Sequence, residues 1–255
     1  MRKLLTFALL AFLSLLAFKN FAFAQPEVNE CFDFYTDALY HNKAGYYEKA
    51  IQAGELAVKK YPSNPSAHLC LGRSYYRVGK LKLALEHMSK AASLLSDKDI
   101  PRPYDIYGEM GEMCERMGYF DDALFYYNKA LKLVRDLGYA NKQTLYLSRI
   151  ADVYKAKGKL DKALSYYEEA LRLESDKELK DLIYDKIVPI YIDKGDYQKA
   201  TEYIQKAIET SKEEGDYSGV YMWKLELGDV YRRMKDYKSA EKYILEGLKG
   251  VKKSW

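Results

Sequence analysis

Few residues in this sequence combine a reactive type with a reactive spacing. The three histidines, His41, His68 and His87, form no His-x-x-x-His or glutamate-paired arrangement that would hold a metal. Cys31, Cys70 and Cys114 are widely separated and lack the paired spacing of zinc ligands. No glycine-rich phosphate loop or Gly-x-Ser-x-Gly turn is present. The carboxylates alternate with lysines, as on solvated helix faces. These absences predict a non-enzyme with no catalytic residue, no metal and no cofactor. Recognition chemistry is better served. Arg73, Tyr76 and Arg77 are spaced by three and four, which places them on one helix face. Arginine forks match carboxylates in bidentate geometry, and a neighbouring ring can carry an apolar side chain. Glu112 and Glu115, with Arg116, lie further along. Two outcomes stay open: the arginines anchor an acidic or C-terminal segment of a partner, or they pair with Glu112 and Glu115.

The elements that position these residues are legible as a repeat. A turn residue recurs at Gly45, Gly79, Gly118, Gly158, Gly195 and Lys235, with steps of 34, 39, 40, 37 and 40 residues. Alanine follows five residues later each time, from Ala50 to Ala240, and a small residue or valine precedes by seven. A ring or thiol precedes by four: His41, Tyr75, Cys114, Tyr154, Tyr191 and Tyr231. Such spacings are helical. They predict one helix before each turn and a second after it, with glycine in the left-handed position that closes the first helix. Small residues let the two helices approach, and rings fill the space between pairs. This use of tyrosine accounts for 26 of them without a cofactor. A period in this range means a stacked array, not one globular core.

The pattern resembles the tetratricopeptide repeat family. Leu71-Gly72 with Tyr75, Gly79 and Ala84 is close to its signature, as is Leu227-Gly228 with Tyr231 and Ala240, and Tyr61-Pro62 supplies the proline after a second helix. His41, Cys114 and Lys235 depart from it. The resemblance implies an all-α, right-handed superhelical solenoid of antiparallel helix pairs, with repeats at about 31–64, 65–98, 104–137, 144–177, 181–214 and 221–254. It also implies that the first helix of each pair lines a concave groove that receives a partner peptide or helix. On that basis Arg73, Tyr76, Arg77, Glu112, Glu115, Arg116, Lys155 and Arg232 are the candidate partner-binding residues. Leu39, Asn42, Lys43, Leu69, Ser148, Asp152, Ala156, Asp185, Pro189, Ile192, Asp193, Leu225, Asp229 and Arg233 fall at other groove positions. The carboxylate clamp of some relatives is not matched, because Tyr35, Leu39, Asp105 and Glu109 stand where lysine or asparagine would be needed. The longer steps resemble the long-repeat members found in kinesin light chains and bacterial peptide-sensing regulators, whose arrays bind peptides.

The longer steps also carry local predictions. Pro101 and Pro103 predict a loop over Asp99–Pro103, because proline disfavours helix at the residue before it. Gly138 and Gly215, each followed by helix-compatible residues, predict longer helices on both sides of those joints. Pro189 lies inside a first helix and predicts a kink there, read either as a tolerated irregularity or as a widening of the groove.

Residues 1–24 read as a secretory signal. Arg2 and Lys3 precede an apolar run from Leu4 to Phe18, and Ala22-Phe23-Ala24 supplies the exit. The run is shorter than the ~20 residues that span a bilayer, so contact with a membrane is expected only if the signal stays uncleaved. A short lead-in, 25–30, then precedes the array. Removing residues 1–24 lowers Lys+Arg from 41 to 38 against 37 Asp+Glu, leaving a net charge of +1. No basic footprint for nucleic acid remains. Cys70 and Cys114 read as small buried hydrophobes, with one disulfide open as an alternative in an oxidising compartment. The expectation is an exported, periplasmic or secreted scaffold that binds protein. The alternative is an assembly module acting through its end faces. The last helix, Ala240 to Lys253, shows Tyr243, Ile244, Leu248, Val251 and then Trp255 with no capping helix after it.

Overall fold

The computed structural model describes residues 25–41 and 44–251; the signal-like segment, Asn42, Lys43 and Trp255 lie outside the described residues. Twelve α-helices and no strand occupy the described residues: α1 (Pro26–His41), α2 (Ala44–Lys60), α3 (Pro65–Arg77), α4 (Leu81–Leu94), α5 (Pro103–Arg116), α6 (Phe120–Asp136), α7 (Ala140–Ala156), α8 (Leu160–Leu173), α9 (Lys177–Asp193), α10 (Tyr197–Glu214), α11 (Tyr217–Arg233) and α12 (Tyr237–Val251). They fall into two compact units, the first ending at Met117 and the second beginning at Gly118. α1 starts inside the predicted lead-in, and Val28 there is already buried.

Within each unit, odd-numbered helices pack against the even-numbered helix that follows, and each even helix packs on the next odd one. The repeated small residues sit at these contacts. Ala50, Ala84, Ala123, Ala163 and Ala200 are fully buried, as are Ala57, Ala91, Ala130, Ala170 and Ala207. At Gly72 an added Cβ would come within 2.7 Å of Met88 Cγ, and at Gly228 within 2.5 Å of Ile244 Cγ1. Glycine is required there by close approach, not by backbone conformation.

The turns close as the pattern predicts. Gly79, Gly118, Gly158 and Gly195 are left-handed, and Lys235 holds the same conformation at φ 63° despite its side chain. At four of these turns the next residue donates its N–H to the carbonyl of the ring-bearing residue: Lys80 to Tyr75, Lys159 to Tyr154, Asp196 to Tyr191 and Asp236 to Tyr231. Gly45 departs from this scheme, because it lies within α2 and not past the end of α1. The rings also pair in register. Tyr154 stacks on Tyr166, Tyr191 on Tyr203 and Tyr231 on Tyr243, with centroids 5.4–5.5 Å apart.

The loop predicted over Asp99–Pro103 runs over residues 95–102 and contains Pro101, while Pro103 is already the first residue of α5. Left-handed Gly138 and Gly215 join helices of 17 or 18 residues on both sides. α9 stays helical through Pro189 as far as Asp193.

Candidate partner-binding site

The first unit contains the cluster that the sequence singles out. Tyr76, Arg77, Glu112 and Arg116 do come together, with Tyr35, Glu109 and Met113, around a cavity of about 170 Å³. Its charges are largely answered from within. Arg73 forms a bidentate pair with Glu109, Nε to Oε1 and Nη2 to Oε2 at 2.8 Å each. Both side chains are less than a third exposed. Burial pulls the Arg73 guanidinium down, but Glu109 more than offsets this and holds it above its ordinary range. The hydroxyl of Tyr35 does the same for Arg77. Glu112 accepts from Arg116 one turn along the same helix, at 2.5 Å. The expected pairing of Arg73 and Arg77 with Glu112 and Glu115 is therefore corrected. Glu109 lies closer to Arg73 along the facing helix, and Glu112 is claimed by its own helix neighbour. Glu115 does not line this cavity. Leu69 and Ile192, expected on the groove, are buried instead.

The cysteines need a second correction. Cys31 and Cys70 form a disulfide between α1 and α3, with Cα atoms 6.3 Å apart. Cys114 is buried outside it. One helix, α2, separates α1 from α3 in the chain, and their close approach in space brings the two sulfurs together.

The second unit places the other two candidates apart. Lys155 is on α7, and Arg232 on α11 pairs with Asp229, as does Arg233. Neither lines the two cavities that lie on either side of α9. The first, about 400 Å³, is lined by Leu145 of α7 and Leu179, Leu182 and Ile183 of α9, with Lys142 and Lys186 at its edge. Leu145 is 41% exposed and Leu182 58%. Glu174, at the end of α8, also lines it and is only 5% exposed. Its Oε1 accepts the N–H groups of Ser175 and Asp176, both at 2.9 Å, and its Oε2 has no hydrogen-bond partner.

The second cavity, about 510 Å³, lies between α9 and α11 and gathers Asp181, Asp185, Asp216 and Glu226 beside Met222 and Trp223. Partial burial raises the Asp181, Asp185 and Glu226 carboxyls above their ordinary range, although Asp185, at the rim, keeps much of its surface in solvent. For Asp181, Ser211 and the Trp223 indole recover part of that cost; for Glu226, Asp229 and Asp185 add to it. Asp181 Oδ2 accepts from Ser211 Oγ at 2.8 Å, while Oδ1 is hidden from solvent without a partner at hydrogen-bonding geometry. Pro189 also lines the cavity and has no N–H to give to the carbonyl of Asp185 four residues before it. Sequence reasoning placed Asp185 and Pro189 on the groove but missed Asp181, Met222, Trp223 and Glu226. Their signal was faint: acidic and aromatic residues one turn apart on two helices that are not consecutive.

Family models described as "Tetratricopeptide repeat" match residues 35–105, 102–174, 183–214 and 224–249. The chain belongs to the tetratricopeptide repeat family. Solved structures of the same fold include BtubC (BKLC) from P. vanneervenii, at 18% identity and TM-score 0.57 over 84% of this chain and 91% of that one. The apo form of RapI is similar at 17% identity and TM-score 0.60, over 89% of this chain and 66% of that one. A putative kinesin light chain from Podosopora anserina, with nearly identical TPR-like repeats, matches at 14% and 0.56 over 76% and 97%. At these identities the likeness shows the fold alone, an all-α solenoid of helix pairs. No curated protein sequence matches the chain. The tetratricopeptide repeat fold is one of protein–protein interaction scaffolds, which are generally non-catalytic. Among the described residues no cluster of histidine, cysteine, aspartate or glutamate could hold a metal.

Proposed function

We propose that this tetratricopeptide repeat protein is exported and holds a segment of a partner protein against the first helices of its repeats, without catalysing a reaction. The observation that carries the reading is the pair of cavities flanking α9. Exposed leucines line one of them, and carboxylates with no cation among the lining residues the other. Several weak contacts along an array add to useful affinity without any single deep pocket. Export is supported by the signal-like residues 1–24 and by the Cys31–Cys70 disulfide, because disulfides persist in oxidising compartments. The near-neutral mature chain and its acidic cavity give no footprint for nucleic acid.

Two measurements test this. Replacing exposed Leu182 with Asp is expected to lower recovery of the partner from envelope extract without changing the melting temperature; unchanged recovery overturns groove binding. N-terminal sequencing of protein from the periplasm or medium is expected to begin at Gln25. Recovery of full-length chain from the cytoplasm alone overturns export.

A second reading, self-association through the C-terminal end, is favoured by α12, where Tyr237, Leu245 and Leu248 are exposed. Light scattering decides it: a strict monomer at high concentration removes end stacking.

A further inference from the structure

The two cavities beside α9 differ in chemistry and share one helix. Asp181, Asp185, Val188 and Pro189 are spaced by three and four and so occupy one face of α9. Leu179, Leu182, Ile183 and Lys186 occupy the adjoining face. Solvent-exposed Leu182 and Asp185 thus mark a narrow ridge between an apolar site and an acidic one.

Charge decides what suits the acidic cavity. Four carboxylates surround it, and its lining residues include no cation. The cations that act on it from outside are engaged elsewhere: Lys186 with Asp152 at 3.1 Å and Arg233 with Asp229 at 2.7 Å. Trp223 and Met222 supply an aromatic face and a soft apolar wall, which favour an ammonium or guanidinium on an aliphatic stem. On the other side of the ridge, a site of leucines and isoleucine takes an aliphatic side chain. The wall of that site also holds the buried Glu174 carboxylate, whose Oε2 has no hydrogen-bond partner. A helix with its side chains is about 10 Å across. An extended chain advances about 3.3 Å per residue, so crossing α9 takes about three residues.

Resting on the groove-binding reading, we infer that the segment bound here is an extended peptide of a partner protein carrying an aliphatic residue and a lysine or arginine about three residues apart, the aliphatic side chain beside Leu145 and Leu182 and the cation among Asp185, Glu226 and Trp223. It is the acidic cavity, not the Arg73 cluster, that sets the sign of charge this protein selects.

The test uses purified protein and fluorescently labelled peptides in which leucine and lysine are separated by gaps of increasing length in a neutral background, read by anisotropy. Affinity is expected to peak near a three-residue spacing, to fall at least tenfold when the lysine becomes glutamate, and to fall similarly for Leu182→Asp. Asp185→Lys is expected to reverse the preference, favouring the glutamate peptide over the lysine peptide. Both positions are exposed, and circular dichroism melting confirms that each variant folds. Equal binding of lysine and glutamate peptides, no dependence on the gap, or no binding at all overturns the inference. The broader reading fails separately, when the partner recovered from extract is indifferent to Leu182→Asp. If recovery depends on Leu182 while the Asp185→Lys variant shows no reversed preference, groove binding stands and the aliphatic–cation motif falls.

Discussion

The two units solve the same packing problem and leave different surfaces behind. In the first, the three arginines of the cluster are answered internally: Arg73 by Glu109, Arg77 by Tyr35, Arg116 by Glu112. A disulfide further ties α1 to α3. In the second unit the described residues hold no disulfide, and Asp181, Asp185 and Glu226 stay raised by burial, with no cation lining their cavity. A conspicuous cluster of charge is therefore a poor guide to a binding site when it neutralises itself. Charge left uncompensated beside an apolar wall is the better guide.

The comparison is most easily broken at the disulfide. Replacing Cys31 and Cys70 by Ser is expected to destabilise the first unit by about 4 kcal/mol, the order for closing a loop of this length. Denaturant unfolding with and without reductant checks this. A transition that ignores reductant would remove the staple from the account.

Close approach should matter equally in both units. Gly72→Ala and Gly228→Ala each force a methyl group into a partner helix, at an expected cost of about 2 kcal/mol. Equilibrium unfolding reads both. A large loss in one unit alone would show that the helix pairs are not equivalent.

Arg73→Ala leaves Glu109 half-buried without its fork, at a cost of about 1–2 kcal/mol. Arg77→Ala, at an exposed position, is expected to change stability by under about 0.5 kcal/mol. If the order reverses, the account of the cluster as a self-paired structural element is wrong.

The acidic cavity should show the opposite sign. Burial raises the folded-state Glu226 carboxyl, so its charged form opposes folding above that range, and the penalty disappears as pH falls through it. Glu226→Gln is therefore expected to raise the melting temperature at neutral pH, with the gain vanishing in acid. In the first unit, burial and the neighbouring His68 hold His87 below its ordinary range. The unfolded chain then takes up a proton there first, and stability falls as pH drops through about 6.5. Calorimetry across pH separates the two behaviours. A gain from Glu226→Gln that persists in acid would mean that the charge was never the problem.

The smallest effect sits at the one turn without glycine. Lys235→Gly removes the strain of a left-handed lysine and is expected to stabilise by about 0.5–1 kcal/mol.

Much of the scaffold was legible because helical periodicity is local. The residues seven before, four before and five after each turn are fixed by the geometry of one helix pair, and the buried alanines and stacked tyrosines stand where that pattern puts them. Gly45 shows its limit: the residue type recurs, yet α2 has already begun at Ala44. The candidate site was legible only in part. Tyr76, Arg77, Glu112 and Arg116 line one cavity, though with other pairings than expected, while Asp181, Trp223 and Glu226 belong to two helices that are not consecutive and carried only a faint signal.

By itself, the sequence determined the helices, their pairing and their turns, because each depends on residues three to five apart in the chain. Tertiary structure alone decided which charge answers which. Glu109 and not Glu112 meets Arg73, Cys31 meets Cys70, and the acids beside Trp223 meet no cation in their cavity. Those outcomes turn on distances between first helices of successive repeats, which no spacing along the chain encodes. A direct ion pair needs its charged atoms within about 4 Å, so a shift of one helical turn changes the partner.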